Sequence, residues 1–493
     1  MIHIAKIGSG FSGLSAACFL AHEGYKVTIF EKNATAGGRA RKFEACGFTF
    51  DMGPSWYWMP DVFEKFFTHF GKRPSDFYNL QRLDPSYRVM YGINDQLDIP
   101  ATVEGLCLMF EQLQPGSRKN LLNFLEEGKY KYNIGVNKLV YKPGLSIAEL
   151  IDVDIIKNIF RLHVFKPIST YVKRFFNAPR LIQLLEFPVL FLGARPEKTP
   201  ALYSFMNYAD MALGTWYPTG GMYKIIEGIV SVAKSLGVEI EFNSDVQRLE
   251  VNSNQVTGAI VTNTFRPFEF IVASGDYQHV EQNLLPPSHR MYSTAYWQKR
   301  VMAPSCLIFY LGINKKIKNL LHHTLFFDQD FKIHADEIYT DPKWPSAPQF
   351  YVSCPSKTDD AVAPVGSENV FILIPVAAGL EDTEAIREKY FKLIMKRIEN
   401  ILGENIQEHI VFKKSYAHND FITDYNAFKG NAYGLANTIG QTANLKPSII
   451  SKKVTNLFYT GQLTVPGPGV PPALISGEVT ANELIKRHRK SLK

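Results

Sequence analysis

Residues 1–54, MIHIAKIGSGFSGLSAACFLAHEGYKVTIFEKNATAGGRARKFEACGFTFDMGP, decide the fold of this chain. The apolar run Ile2–Ile7 predicts a short buried strand, and the glycine-rich turn Gly8–Gly13 follows it directly. Small apolar residues at helical spacing over Leu14–Leu20 predict a helix, and Tyr25–Phe30 predicts a second strand. The order strand, turn, helix, strand is that of a βαβ unit carrying a dinucleotide-binding fingerprint.

Three glycines and one acid give this unit its chemistry. Gly8 allows a tight turn, Gly10 lets the backbone approach a pyrophosphate, and Gly13 lets the helix pack close to the sheet. The N–H groups at the helix start face the phosphates, and the helix dipole favours their negative charge. Glu31 ends the second strand, where a carboxylate accepts hydrogen bonds from ribose hydroxyls and repels a 2′-phosphate, which argues against NADP. A glycine-rich turn without a ligand is the alternative.

The fingerprint by itself does not distinguish FAD from NAD, but the following residues do. Ala36–Ala40 (AGGRA) resembles the second glycine motif of the FAD superfamily that includes amine oxidases, Rab GDP-dissociation inhibitors and carotenoid desaturases. Phe48–Ser55 is similar to the strand and turn that lie beside the flavin in that superfamily. Within it, the chain resembles the bacterial-type phytoene desaturases. The resemblance implies FAD as cofactor, with Arg39 facing phosphate or flavin.

Three later stretches extend the resemblance over nearly the whole chain. Gly214–Met222 is similar to the passage in which the family's chain re-enters the FAD domain, and Val246 is implied to lend backbone groups to the adenine. Gly461–Pro472 is a loop before a helix over 473–487, whose N–H groups would face the pyrimidine end of the flavin. Gln462 stands where many FAD proteins carry an acid, and its amide can still hydrogen-bond.

The resemblance therefore implies a cofactor site built from separate stretches of the chain. The implied FAD-binding residues are Gly8, Ser9, Gly10, Phe11, Ser12, Gly13, Glu31, Lys32, Gly37, Gly38, Arg39, Gly53, Pro54, Ser55, Val246, Gly461, Gln462, Gly469, Val470 and Pro471. The expected fold is α/β, a Rossmann-like FAD-binding domain interleaved with a mixed-sheet plus helical substrate domain. The expected boundaries are 1–80, 214–295 and 441–493 for the FAD-binding domain, and 81–213 and 296–440 for the substrate and membrane-facing domain.

Composition bounds the class of protein. A chain of 493 residues with 46% hydrophobic and 20% charged residues is globular and too long for one core. No apolar run is long enough to span a bilayer, and the N-terminal residues read as a strand of the fold rather than as a secretion signal.

The 5 cysteines are scattered, which argues against a disulfide framework and against a metal site, and we expect reduced thiols in the cytoplasm. The pair His322-His323 has no third ligand at a defined spacing, so no metal is expected.

A basic stretch predicts where the protein is located. Ile155–Leu185 contains no acidic residue, and its cationic residues alternate with apolar and aromatic ones. The cationic residues are Lys157, Arg161, Lys166, Lys173, Arg174 and Arg180. Such an amphipathic segment is typical of the interface of an anionic bilayer, and a surface helix with a solvated basic face is the alternative. We expect peripheral contact with the inner face of the cell membrane and no binding of nucleic acid, because no nucleic-acid motif accompanies the charge. The oligomeric state is left open.

The aromatic stretch after the flavin motif has two interpretations. Trp56–Phe70 is rich in aromatic residues, and Phe63, Phe66, Phe67 and Phe70 within it recur at helical spacing, which predicts the core face of a helix. The alternative is that these rings line a substrate path near the flavin. Desaturation of a polyene needs few acids or bases, because the flavin takes a hydride and aromatic faces stabilise positive charge. Asp210 is the candidate catalytic base, with a hydrogen-bonded structural aspartate as the alternative.

The resemblance implies an FAD-dependent carotenoid desaturase that introduces double bonds into a C40 polyene substrate by hydride transfer to flavin N5. Phytoene, converted towards lycopene, is the first candidate substrate. A later-step enzyme such as a 1′-hydroxycarotenoid 3,4-desaturase, a flavin-dependent carotene isomerase and an amine oxidase stay open. A non-catalytic prenyl-binding protein of the same fold is a further alternative, against which the intact glycine motifs argue.

Overall fold

The computed structural model describes residues 2–146, 149 and 161–492. The strands are β1 (His3–Ile7), β2 (Lys26–Phe30), β3 (Lys42–Ala45), β4 (Phe48–Asp51), β5 (Leu80–Arg82), β6 (Tyr87–Gly92), β7 (Asp95–Ile99), β8 (Trp216–Pro218), β9 (Glu239–Glu241), β10 (Val246–Asn252), β11 (Gln255–Val261), β12 (Thr264–Pro267), β13 (Phe270–Ala273), β14 (Ser305–Ile313), β15 (His323–Phe326), β16 (Phe350–Ser353), β17 (Glu368–Val376), β18 (Ile410–Tyr416) and β19 (Leu457–Tyr459). The α-helices are α1 (Phe11–His22), α2 (Pro60–His69), α3 (Val103–Leu113), α4 (Ser117–Gly135), α5 (Ile168–Val172), α6 (Pro179–Glu186), α7 (Phe205–Tyr208), α8 (Tyr223–Ser235), α9 (Tyr277–His279), α10 (Thr294–Gln298), α11 (Phe331–Tyr339), α12 (Glu384–Leu402), α13 (His418–Tyr425) and α14 (Val470–Ser491).

The first sheet is parallel and has the order β19-β13-β1-β2-β9. Its two central strands, β1 and β2, are joined by α1, as the N-terminal pattern predicts. The other three strands come from the middle and the end of the chain, so distant segments close one sheet. The inner strands of such a sheet are buried on both faces, which explains the largely apolar sequences of β1, β2 and β13.

The second large sheet is mixed and has the order β18-β14-β17-β16-β15-β6-β7. Only β6 and β15 pair in parallel, and the remaining neighbours are antiparallel. All nine residues of β14 are buried. One face of the strand packs against the core that contains β4, and the other packs against α12. The predicted α/β class, with a Rossmann-like parallel sheet and a mixed sheet plus helices, is confirmed. The domain boundaries stay predictions.

Helices α1 and α14 pack at very close range. The hydroxyl of Ser15 donates to the carbonyl oxygen of Leu474 at 2.7 Å. A Cβ atom at Gly477 would lie 2.5 Å from the carbonyl oxygen of Ser12, so only glycine fits there. The last helix begins at Val470, three residues before the predicted start, because Pro471 and Pro472 have the φ angle of a first helical turn. The two helices thereby present their N-termini to the same region.

Asp51 joins two segments that are far apart in sequence. Its carboxylate accepts hydrogen bonds from the backbone N–H groups of Met222 at 2.7 Å and Tyr223 at 2.9 Å, at the start of α8. A carboxylate at a helix N-terminus satisfies unpaired donors and complements the helix dipole. Burial raises the pKa of Asp51 to about 6. This contact holds the turn that carries the flavin motif against α8.

Helix α2 packs into the core. Phe63, Phe66 and Phe67 are buried in the main hydrophobic cluster, and Phe70 packs on Phe19 with ring centroids 5.1 Å apart. None of these four rings lies on the wall of the cavity described below. The core interpretation therefore fits these four rings, whereas Trp56 and Trp58, which begin the same aromatic stretch, lie on the cavity wall.

Candidate cofactor and substrate site

A cavity of about 870 Å³ is lined by residues of both large sheets. Its polar end lies at the carboxyl ends of β1 and β2, where ligands bind in open parallel sheets. Of the predicted cofactor residues, all except Gly13 lie on the wall of this cavity. Gly13 lies behind the wall, where its lack of a side chain allows α1 to approach the turn after β1. The structure thus brings the separate stretches of the prediction together around one space.

The two glycine motifs form a cradle at the polar end. A Cβ atom built on Gly10 meets no atom within 4 Å, so the backbone there borders open space. Gly37 has a φ of 117°, and its N–H donates to the carbonyl oxygen of Ser9 at 2.9 Å. A Cβ atom at Gly38 would lie 3.3 Å from the Cα atom of Gly10. This cradle fits a pyrophosphate, which needs close backbone approach and N–H donors.

Glu31 is buried at the nucleotide end of the cavity. Its Oε2 accepts from the backbone N–H of Ser9 at 2.9 Å and from the Ser9 hydroxyl at 2.6 Å. Its Oε1 accepts from the backbone N–H and the side-chain amide of Asn33 at 2.9 and 2.8 Å. These bonds fix the carboxylate beside the cradle. A carboxylate in this place favours a ribose with free hydroxyls over one with a 2′-phosphate.

Arg39 and Gln462 occupy the middle of the cavity wall. The guanidinium of Arg39 is buried, donates to the carbonyl oxygen of Asn431 at 3.1 Å, and lies 5.1 Å from the ring centre of Tyr425. In the described part of the chain its Nε has no hydrogen-bond partner. The Gln462 amide donates to Asn431 Oδ1 at 3.0 Å. A buried cation with an unused donor suits a ligand rich in acceptor oxygens.

The N-terminus of α14 forms the next part of the wall. Gly469 precedes the helix with a φ of 115°, and Val470 and Pro471 begin it at the cavity. A helix N-terminus favours negative charge in its vicinity. The sequence prediction placed this feature at the pyrimidine end of the flavin, and its position on the same cavity as the glycine cradle fits that prediction.

Aromatic rings line another part of the wall. These rings come from six separate stretches of the chain, namely Trp56, Trp58, Phe187, Tyr203, Phe205, Phe327, Tyr351 and Tyr433. The indole of Trp56 stacks on His323 with a centroid distance of 4.2 Å and an interplanar angle of 12°. The indole N–H of Trp58 donates to the Thr215 hydroxyl at 2.8 Å. Fixed rings of this kind bind a long apolar chain and stabilise positive charge that develops along it.

Asp210 does not reach the cavity. It lies in the π-helical turn Ala209–Leu213, is 2% exposed, and is absent from the cavity wall. The hydroxyls of Tyr87 and Thr215 donate to its carboxylate at 2.8 and 3.2 Å. Burial raises the pKa of Asp210 to about 7. The structure therefore favours the structural interpretation of this residue over a base in contact with substrate.

Sequence reasoning missed the residues that face the aromatic end. Trp56 and Trp58 precede α2 and lie on the wall, whereas the predicted aromatic stripe of α2 does not. The sequence Trp56-Tyr57-Trp58 directly after the flavin motif is the signal that could have identified them.

His323 was considered for metal binding, and its Nδ1 lies 2.6 Å from the Tyr351 hydroxyl.

Comparison with known proteins identifies the family. The profile of the flavin containing amine oxidoreductases matches residues 11–485. The chain belongs to this family. It is an FAD-dependent oxidoreductase. Four parts of the wall fit FAD: Glu31 fits the nucleotide, the glycine cradle fits the pyrophosphate, and Arg39 and the start of α14 fit the phosphate and flavin groups.

Curated relatives within the flavin amine oxidoreductases match end to end. A protein of Haloarcula japonica named carotenoid 3,4-desaturase is 40% identical over 488 residues, which is 98% of each chain. The zeta-carotene-forming phytoene desaturase of Myxococcus xanthus is 30% identical over 98% of this chain and 93% of its own. The 4,4′-diapophytoene desaturase of Staphylococcus aureus strain Newman is also 30% identical, over 98% of each chain.

Solved structures share the fold at much lower identity. An oxidoreductase from Methanosarcina mazei superposes with a TM-score of 0.64 at 15% identity, covering 98% of this chain and 100% of that one. Wild-type putrescine oxidase bound to putrescine superposes with a TM-score of 0.61 at 12% identity, covering 99% of each chain. These likenesses bear on the fold alone.

Proposed function

We propose that this flavoprotein is a carotenoid desaturase, which introduces double bonds into a C40 polyene. The observation that carries the proposal is the aromatic cavity that continues directly from the glycine cradle. A polyene lying along Trp56, Trp58 and Phe327 would reach the flavin motif at Gly53–Ser55 on the same wall. The names of the relatives, all of them desaturases of carotenoid-type chains, support the same conclusion.

The chemistry divides between cofactor and protein. When bound, FAD supplies the acceptor for a hydride, at flavin N5. The chain supplies orientation and exclusion of water through the apolar wall, and the faces of Trp56 and Trp58 stabilise positive charge on the polyene. The N–H groups at the start of α14 favour negative charge at the end of the cavity that they border.

We propose two carotenoid substrates and give neither of them preference. Phytoene, converted towards lycopene, is one, and the relatives from Myxococcus xanthus and Staphylococcus aureus have names of this early-step type. A later carotenoid, desaturated at the 3,4 position, is the other, and the Haloarcula japonica relative with its higher identity has such a name. A carotene isomerase and a non-catalytic prenyl-binding protein of the same fold are tested by the same experiment.

The deciding experiment is an anaerobic incubation of the FAD-loaded protein with each carotenoid in liposomes. Flavin absorbance and the polyene spectrum are followed together. Bleaching of the flavin with growth of longer-wavelength polyene bands is the expected result, and the substrate that produces it names the step. Isomerised product at constant saturation would make the protein an isomerase. A protein that stays colourless after incubation with FAD, with a bound polyene left unchanged, would favour the prenyl-binding alternative.

We also propose peripheral contact with a membrane, centred on the exposed Phe165. This ring is 79% exposed and lies at the cavity wall, with the exposed Lys173 and Arg174 nearby in sequence. In the described part of the chain, no helix combines the length and the apolar character needed to cross a bilayer. A polyene that dissolves in lipid would enter the cavity at such a contact.

The sequence-based picture of this basic segment needs a correction. Lys157 lies outside the described residues. Arg161 and Arg180 form ion pairs with Glu127 at 3.0 Å and Asp95 at 2.5 Å, so acids from other segments meet the basic face. Among the described residues of the segment, 161–185, most apolar side chains belong to the core rather than to a lipid-facing stripe, namely Leu162, Ile168, Tyr171, Val172, Phe176, Leu181, Leu184 and Leu185.

A further inference from the structure

Tyr351 and His323 form a pair at the aromatic wall. Tyr351, on β16, lies on the cavity, and His323, on the neighbouring strand β15, is fully buried and absent from the cavity wall. The Tyr351 Oη atom is 2.6 Å from His323 Nδ1 and 3.0 Å from the Oγ atom of Ser55. Ser55 belongs to the flavin motif and lies on the same wall. The phenol is thereby fixed between the cavity and the imidazole.

The pair has room for one additional proton. In the described part of the chain, the Nε2 atom of His323 is buried without a hydrogen-bond partner, and a neutral imidazole that carries its one proton there keeps the lone pair of Nδ1 for the Tyr351 hydroxyl. Burial lowers the pKa of His323 well below its usual value and raises the pKa of Tyr351, so both groups are neutral at rest and an imidazolium at His323 is a transient species that must pass its proton on. The Trp56 ring stacks on the imidazole, and an aromatic face stabilises a cation that forms beneath it.

Several carboxylates of the cavity wall are held by other groups. Glu31 accepts from Ser9 and Asn33 at the nucleotide end. Asp276 accepts from the backbone N–H of Phe428 and from Asn431. Asp210, the sequence-based candidate base, is off the wall altogether. The aromatic end of the cavity therefore offers a phenol backed by an imidazole where a proton acceptor is needed.

We propose that Tyr351 and His323 together accept the proton that desaturation releases, an assignment that rests on the proposed function. One carbon of the polyene loses a hydride, which carries the two electrons of its C–H bond to the cofactor. On the adjacent carbon a C–H bond breaks, and its electron pair becomes the new C=C bond. The proton passes to Tyr351 Oη while the phenol's own proton passes to His323 Nδ1, which the free rotation of a hydroxyl allows. Tyr351 is the catalytic residue, and His323 acts through it.

The first test compares Tyr351→Phe with Tyr390→Phe. Tyr390 is a buried tyrosine away from the cavity whose hydroxyl donates to the Pro345 carbonyl oxygen at 2.6 Å, so the control also loses one buried hydrogen bond. Loss of a general base lowers kcat about 10²-fold or more, and we expect this for Tyr351→Phe, with KM and bound FAD unchanged. Deuterium on the carbon that loses the proton should give a larger kinetic isotope effect in the variant than in the wild type. Deuterium on the carbon that loses the hydride should give the variant no larger an isotope effect than the wild type.

The second test is chemical rescue. His323→Ala leaves a space of the size of an imidazole beside Tyr351, and added imidazole should restore activity about tenfold or more, a fraction of the general-base effect. His418→Ala is the matched control, since His418 is buried, bonds the Ala377 carbonyl oxygen at 2.8 Å and is absent from the cavity wall. It should keep its activity and show no response to imidazole.

The outcomes separate this assignment from the proposed function. A wild type that converts the carotenoid while Tyr351→Phe keeps full kcat overturns the assignment alone. The assignment is also overturned if Tyr351→Phe is slow but its isotope effects at both carbons equal those of the wild type. It is overturned likewise if imidazole does not restore activity to a folded, FAD-containing His323→Ala. In either case the pair would be structural. A wild type that desaturates no polyene overturns the proposed function, and the assignment falls with it.

Discussion

Gly13 packs against Gly8 so closely that a Cβ atom at Gly13 would lie 2.2 Å from the Gly8 carbonyl oxygen. The neighbouring Gly10 differs, because a Cβ atom there meets nothing within 4 Å and its φ of −71° suits any residue. One fingerprint therefore contains a glycine required by packing and a glycine that borders the cradle. The two should respond differently to substitution.

We expect Gly10→Val to fold and to lose FAD, because its side chain would project into the space proposed for the pyrophosphate. The ratio of flavin to protein absorbance after purification measures this loss, and thermal unfolding of the apoprotein measures the fold. Gly13→Val should instead destabilise the protein, since its side chain collides with the backbone of Gly8. Stoichiometric flavin in purified Gly10→Val would refute the fingerprint assignment.

Asp210 should make stability depend on pH. Burial raises the pKa of its carboxyl from 3.8 to about 7, so between these values the unfolded state binds fewer protons than the folded state. The free energy of unfolding should therefore fall as pH rises from about 4 to 7 and level off above that. Each pKa unit corresponds to about 1.4 kcal/mol, which makes the full loss on the order of 4 kcal/mol. Asp210→Asn should remove it, as urea unfolding of both proteins at about pH 5 and pH 8 would measure.

The same variant tests the catalytic interpretation of Asp210. Because Asp210 lies off the cavity wall, Asp210→Asn should keep desaturase activity within a few-fold of the wild type. A fall of about 10²-fold in a folded variant that retains FAD would restore Asp210 as a candidate base.

Gly477→Ala should weaken both the fold and the cofactor site. Its methyl group would lie 2.5 Å from the Ser12 carbonyl oxygen, and overpacking of this kind costs about 1–3 kcal/mol. Since α1 and α14 both begin at the cavity, separating them should also raise the Kd for FAD. Denaturant unfolding and FAD titration measure the two effects. Gly92→Ala is the control, because a Cβ atom there meets open space, and equal behaviour of the two variants would contradict the packing argument.

Phe165→Ser should weaken binding to anionic liposomes. Burying a phenylalanine side chain in an apolar medium gains about 1.5–3 kcal/mol, so the loss should be roughly tenfold or more in a flotation assay. Binding should also fall with salt if Lys173 and Arg174 face the lipid headgroups. Phe265, which is 49% exposed and absent from the cavity wall, provides the control Phe265→Ser. Equal binding by both variants and the wild type would remove Phe165 from the proposed contact.

Local sequence predicted the parts of the fold that depend on neighbouring residues. The unit from β1 to β2, with the helix α1 between them, follows from short-range periodicity and turn chemistry. Resemblance placed the cofactor residues, and the cavity wall includes all of them but Gly13. The start of α14 was misjudged because proline was taken to precede the helix rather than to begin it.

The sequence by itself determined the nucleotide end of the site, since the glycine turn and Glu31 lie within one βαβ unit whose geometry is local. Only the tertiary structure decided the aromatic end. Tyr351 meets Ser55 across 296 residues, and Asp210 is turned away from the cavity by Tyr87 across 123 residues. Such contacts depend on the order of strands in the mixed sheet, and no spacing along the chain encodes that order.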